Sequence, residues 1–319
     1  MKICHRATIL FEKHYTNRNP TAPREMKIDP LSLQLFVSVI EDGTIAAAAA
    51  RHHIAAGAVS KRVSELEAQL NTQLLVRSNR GIAPTQAGLA LINLARGVLN
   101  DLQNIPIQME DYAAGTRGSV RVLANISAMT QFLPQALKSF ADKYPLIQVH
   151  LEEKVSSAIV RAVAENVADI GLYTHFPHGN EIEVHPYWND ELVVVLPKKH
   201  PLAQKESILF TEALEHDFVG LHVGSSMHFQ MTEAASKLGK PLKLRIQVRS
   251  YDAQCLMIEA GLGIGILPAA SMRAYSGIAV QTIPLDEAWA HRELDMCVRS
   301  YISLPSAARL FFDHLQSIR

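Results

Sequence analysis

From Ser119 onward the sequence alternates strand-like and helix-like segments without a break, and that alternation leaves the chain few architectures. SVRVLAN (119–125) reads as a buried strand, LPQALKSFADKYP (133–145) as a helix closed by Pro145, and IQVHLEE (147–153) as a strand. IVRAVAENVA (159–168) is a helix and DIGLY (169–173) a strand again. A second series follows in ELVVVLP (191–197), DFVGLHV (217–223), MHFQMTEAASKLGK (227–240), LRIQVRS (244–250), CLMIEAGLGI (255–264) and IGILP (264–268). Such alternation predicts open, mostly parallel sheets. Two small α/β units joined near Trp188 and Asn189 predict a cleft between them, with ligands held beyond the carboxyl ends of the strands.

The 319 residues exceed one ordinary core, so two or three domains are expected. Charged residues at 19% and apolar residues at 48% exclude a disordered chain. No apolar run approaches the ~20 residues of a membrane span, so no membrane partner is expected. Lys plus Arg equal Asp plus Glu at 31 each, and any nucleic-acid surface must therefore be local. Cys4, Cys255 and Cys297 show no CxxC spacing, which argues against a disulfide framework or zinc ribbon and fits a reducing cytoplasm. Residues 1–27 carry Lys2, Arg6, Lys13, Arg18, Arg24 and Lys27 against Glu12 and Glu25, without the apolar core of a secretory signal. They read as a basic, poorly ordered extension, with Met26 as an alternative start.

Between this extension and the α/β region the hydrophobic period is helical. Leu35, Phe36, Val39 and Ile40 form one stripe, ended by Gly43. Thr44 can cap the short helix IAAAAARHH. After a turn near His53, Val59, Val63, Leu66 and Leu70 recur at spacings of 4, 3 and 4. Helix, short turn, helix is the helix-turn-helix pattern. LLVRSNRGIAPTQAG then reads as a two-stranded wing, its turn at Ser78, Asn79 and Gly81 flanked by Arg77 and Arg80. The next helix carries Leu91, Ala95, Val98, Leu102 and Ile105 as a coiled-coil-like seam that needs a partner, most simply a second copy. Pro106 is expected to end or kink it.

At this point the residues carry a family resemblance. LFVSVIEDGTIAAAA, AVSKRVSELEAQL and LLVRSNRGIAPTQAG, within Leu31 to Gly88, resemble the winged helix-turn-helix of LysR-type transcriptional regulators. SVRVLAN, FLPQALKSFADKYPLIQVHLEE, ADIGLY and GLGIGILP are similar to that family's effector domain, of the type II periplasmic-binding-protein kind. The resemblance spans residues 28 to 319. It implies a multidomain α/β chain: a winged helix-turn-helix (28–85), a linker and dimerisation helix (86–116), and a two-lobed effector domain (117–319). Lobe I would take 117–188 and 290–319, and lobe II 189–289. It further implies a cytoplasmic regulator that binds double-stranded promoter DNA as a homodimer or homotetramer and responds to a small-molecule effector.

On this reading Thr44, Ala56, Gly57, Ser60, Lys61 and Arg62, with the wing's Arg77 and Arg80, are the expected DNA contacts. Where the family has a Ser-Gln pair opening the recognition helix, this chain has Ala55 and Ala56, followed by Gly57. The substitution removes a cap and a bidentate adenine reader, leaving apolar contact or shape readout. The resemblance draws effector contacts from Asn125, Ser127 and Thr130, from Thr174 and His175, and from Val223, Ser225, Ser226 and Tyr251. Ser127 and Thr130 are expected before one helix start and Ser225 and Ser226 before another, where free N–H groups favour a carboxylate.

GLGIG (261–265) stands between a helix and a strand, the reverse of a dinucleotide fingerprint, so a helix stop accounts for its glycines. His175 with His178 and His222 with His228 lack the converging ligands of a zinc site. No nucleophile motif, paired carboxylates or P-loop appears, and neither an enzyme nor a cofactor or metal is expected. The rival class is a solute-binding or sensor protein whose N-terminal helices only mediate assembly.

Overall fold

The computed structural model describes residues 28–78, 81–113 and 118–318, so the basic extension lies outside it. Contacts divide the chain into two units, residues up to Ala87 and residues from Gly88 onward.

In the first unit, α1 (Pro30–Asp42) starts beneath Asp29, whose Oδ1 accepts the Ser32 N–H at 3.0 Å, and stops at Gly43, φ +71°. Only a residue that tolerates the left-handed region ends a helix this way without strain. α2 (Ile45–Arg51) is capped by Thr44, whose Oγ1 accepts the Ala47 N–H at 3.1 Å. α3 (Ala56–Leu70) follows Ala55, which offers no side-chain cap. Leu35, Phe36, Val39, Ala48, Val59 and Val63 are buried as the core of this unit. β1 (Leu75–Ser78) and β2 (Gly81–Pro84) form an antiparallel hairpin with Ser78 opposite Gly81.

Helix α4 (Gln86–Ala113) does not stop at Pro106 but continues through it. A proline removes one i→i−4 bond, and the helix accepts that single loss within a length of 28 residues. The apolar stripe also differs from the expected seam, because Ala95 is buried while Leu94, Val98, Leu102, Ile105 and Met109 are exposed at spacings of 4, 4, 3 and 4. Polar contacts fix the helix to the α/β region. Arg96 pairs with Glu165 Oε1 at 3.0 Å, Asn100 Nδ2 donates to the Glu165 carbonyl at 2.8 Å, and Arg299 lies 3.5 Å from Asp101 Oδ2.

The α/β region begins with β3 (Ser119–Ala124), α5 (Ile126–Gln131), α6 (Leu133–Lys143), β4 (Gln148–Glu153), α7 (Ser156–Ala164) and β5 (Ile170–Thr174). β6 (Glu183–Pro197), α8 (Phe210–Ala213), β7 (Phe218–Leu221), α9 (Ser226–Lys237), β8 (Leu244–Val248), α10 (Tyr251–Glu259) and β9 (Gly265–Pro268) follow. β10 (Val280–Pro284), β11 (His291–Val298) and α11 (Ser306–Ser317) complete it. β4, β3 and β5 are parallel neighbours, whereas β11 joins β5 and β6 antiparallel, and β6 joins β9 and β10 antiparallel. The sheet is therefore mixed rather than mostly parallel, because the chain returns to the first lobe through β11. The junction near Trp188 and Asn189 is not a loop either. It is the middle of β6, which pairs with β11 up to Glu191 and with β9 from Leu192.

Two cores result. One gathers Val122, Leu133, Phe140, Leu172, Met296 and Phe311 around the first lobe, the other Val194, Phe210, Phe218, Tyr251, Ile258 and Ile266 around the second. The glycines of GLGIG serve the second lobe. Gly263 has φ +155°, and a Cβ there would lie 2.5 Å from the Asp217 carbonyl oxygen. Gly263→Ala is expected to destabilise the effector lobe by about 1–3 kcal/mol, read by urea unfolding. Gly57→Ala, whose Cβ would meet nothing within 4 Å, is expected to leave stability unchanged or raise it by roughly 1 kcal/mol.

Candidate functional site

At 100° per residue, the buried Val59, Val63 and Leu66 occupy one face of α3, and Gly57, Lys61, Ser64 and Ala68 the opposite one. Every residue from His53 to Ala58 is exposed, and none from Ile54 to Ala58 carries a polar side-chain atom. The Lys61 side chain is 76% exposed and lies 3.8 Å from Glu65, a surface pair that holds it weakly. Ser60 is half-buried.

Arg62, expected beside Lys61 as an outward contact, turns the other way. Its NH1 donates to Asp29 Oδ1 at 3.2 Å and to Ser32 Oγ at 3.4 Å, locking α3 to the start of α1. The reason is its position 100° round the helix, beside the carboxylate that caps α1. The Ser32 hydroxyl, aided by the Arg62 charge, holds the Asp29 carboxyl below its usual range. Of the wing residues, Arg77 is described only through its backbone in β1, and Arg80 lies outside the described residues.

In the α/β region, several residues expected to meet an effector bond one another across the lobes. Ser127 Oγ lies 3.1 Å from Tyr251 Oη, Thr130 Oγ1 2.8 Å from Ser271 Oγ, and Ser226 Oγ donates to Thr174 Oγ1 at 3.3 Å. Asn125 Nδ2 donates to the same Thr174 oxygen at 2.8 Å. Burial pushes the Tyr251 phenol up to about 12, so it stays neutral. The helix-start expectation needs correction. Asn125, not Ser127 or Thr130, caps α5, accepting the Ala128 N–H at 3.0 Å, and Thr130 lies in the last turn with its hydroxyl on the Ile126 carbonyl. The Asn125 amide, immediately before the first residue of α5, takes the cap instead. Ser225 caps α9 through the His228 N–H at 3.2 Å, Ser226 is its first residue, and Val223 is 69% exposed.

Beside this polar seam lies a cavity of about 800 Å³, lined by Thr174, His175, Asp190, Gln230, Trp289 and Arg292 among others. Thr174 and His175 are the expected residues it contains. His175 is held by Asp295, a buried carboxylate 2.6 Å from its Nδ1. His178, in contrast, sits 2.8 Å from Tyr173 Oη. Asp190 and Arg292 carry no signal in the sequence, because each stands between polar neighbours, Asn189 and Glu191 or His291 and Glu293. They face each other across β6 and β11 as a buried ion pair, their side chains 0% and 2% exposed. Arg292 also reaches Gln230 Oε1 at 3.2 Å and Ser127 Oγ at 3.4 Å, touching both lobes. Cys255 and Cys297 are buried, and burial pushes their thiols to about 11 and about 12, which leaves them unreactive near neutral pH.

Removing one partner of a buried pair strands the other charge. Arg292→Met or Asp190→Leu alone is therefore expected to cost about 3–5 kcal/mol in urea unfolding, and the double replacement substantially less.

Comparison with known proteins agrees with this architecture. Residues 31–89 match the bacterial regulatory helix-turn-helix domain of the lysR family, and residues 113–318 match the LysR substrate binding domain. The uncharacterized HTH-type transcriptional regulator YbhD of Escherichia coli K12 is 28% identical over 90% of both chains. Full-length CbnR complexed with its target DNA superimposes with a TM-score of 0.53 at 21% identity, covering 91% of this chain and 99% of that one. The Synechocystis PCC6803 CcmR regulatory domain in complex with 2-PG gives 0.59 at 23% identity, covering 63% and 97%. Among the described residues no helix is long and apolar enough to cross a membrane. The chain belongs to the LysR family of transcriptional regulators, with a helix-turn-helix and an effector-binding domain, and is not an enzyme.

Proposed function

We propose that this regulator works in the cytoplasm, lays α3 in the major groove of its operator, and changes its grip on DNA when a carboxylate-bearing metabolite enters the interlobe cleft. The observation that carries the DNA reading is the outward face of α3, where Gly57 and Lys61 stand one turn apart with nothing covering them among the described residues. Lys61 meets phosphate, while Ala56, Gly57, Ser60 and Thr44 lie along the groove and Arg77 and Arg80 on the wing hold the flanking backbone. Arg62 acts indirectly, by fixing the angle between α3 and α1.

The exposed stripe Leu94, Val98, Leu102, Ile105 and Met109 supports a homodimer through α4, from which a tetramer is assembled. Such a stripe on a lone helix leaves apolar surface in water, and a second copy covers it. For the effector, support comes from β6 and β11. Arg292 Nε and Asp190 Oδ1 are buried without a hydrogen-bond partner among the described residues. A ligand carboxylate that parts the lobes reaches the guanidinium, while Thr174 and His175 line its approach. The shift between states then equals the difference in effector affinity between them.

The DNA reading is tested by binding to the chain's own upstream DNA at several salt concentrations. Lys61→Ala is expected to weaken binding and lower the slope of log K against log salt by about 0.9. An unchanged affinity and slope would contradict it. The effector reading is tested by calorimetric titration with organic acids, with Thr174→Val losing the heat seen for the parent chain. Val98→Glu with Ile105→Glu is expected to convert the dimer to monomer in sedimentation, without loss of helix content.

A further inference from the structure

Resting on the DNA reading above, we infer that α3 reads its half-site through thymine methyl groups rather than through hydrogen bonds to base edges. The whole approach to the helix is apolar: Ile54, Ala55, Ala56, Gly57 and Ala58 are exposed, and no side chain among them extends a donor or acceptor. Recognition helices contact bases with their N-terminal residues, so this bare turn is the part that meets the groove floor. The neighbouring polar side chains lie behind this tip or are engaged: Ser60 is half-buried and partnered, and Ser64 stands two turns beyond Gly57. Arg62 is bound to Asp29, Thr44 accepts the Ala47 N–H, and Lys61, one turn beyond Gly57, is placed for phosphate.

In the major groove the thymine C5-methyl is the one apolar feature that a base pair displays, and alanine is among the residues that contact it. Gly57 adds to this reach. Its Cβ would meet nothing within 4 Å, so the fold does not require a glycine there, yet its absence lets the helix backbone approach the base edges more closely. Four exposed methyl-sized or smaller positions in succession therefore form an apolar tip sized for methyl groups, with a cation one turn behind it.

The test uses the duplex that the full-length protein enriches from a random-sequence pool. Each thymine is replaced singly by uracil, which keeps the base pairing and removes only the methyl. The inference predicts an approximately four-fold loss of affinity at one or two thymines per half-site. It further predicts that Ala56→Gln abolishes this sensitivity while leaving the salt slope intact. Uniform tolerance of uracil by a duplex that still binds in a salt-dependent way would overturn the inference and leave the DNA reading standing. Failure of the protein to enrich any duplex would overturn both.

Discussion

The two lobes depend on a pair of strands, β6 and β11, that run side by side through the junction and carry a buried Arg292–Asp190 ion pair where they pass from one lobe to the other. Both side chains are buried, so each charge is tolerable only while the other stays in place. Arg292 extends this dependence to both sides, touching Ser127 of α5 and Gln230 of α9. Any rotation of one lobe on the other must rearrange bonds at this one arginine.

Small hydroxyls surround that junction. Ser127 with Tyr251, Thr130 with Ser271 and Ser226 with Thr174 close the seam by bonds of neutral groups, each contributing modestly and each exchangeable for a ligand bond. A seam of this kind holds the lobes together without locking them. The linker helix is attached to the first lobe through Arg96 and Asn100 on Glu165 and Asp101 near Arg299.

Much of this was legible in the residues. The 4-3-4 stripe of α3, the stop at Gly43, the Thr44 cap and the strand–helix alternation are local patterns, and local patterns survive folding. What stayed hidden was non-local. Nothing in ELVVVLP says that the strand begins eight residues earlier at Glu183, because its partner β11 lies a hundred residues on. Arg62 looked like a groove contact until Asp29, far along the chain, proved to hold it. Ser127 and Thr130 read as hydroxyls before a helix start, whereas their partners Tyr251 and Ser271 come from the other lobe. The buried charges Asp190 and Arg292 are conspicuous only once both strands are seen together.

The helix-turn-helix unit carries an apolar tip and a cation on one helix, and where those features meet DNA decides the proposed function. A hydroxyl-radical footprint of the full-length protein on its selected duplex tests this most directly. Two protected half-sites are expected on one face of the duplex, separated by a whole number of helical turns, with protection lost when Lys61 is replaced by alanine. Protection that is unrelated by symmetry, or that is unchanged in the Lys61 variant, would contradict it.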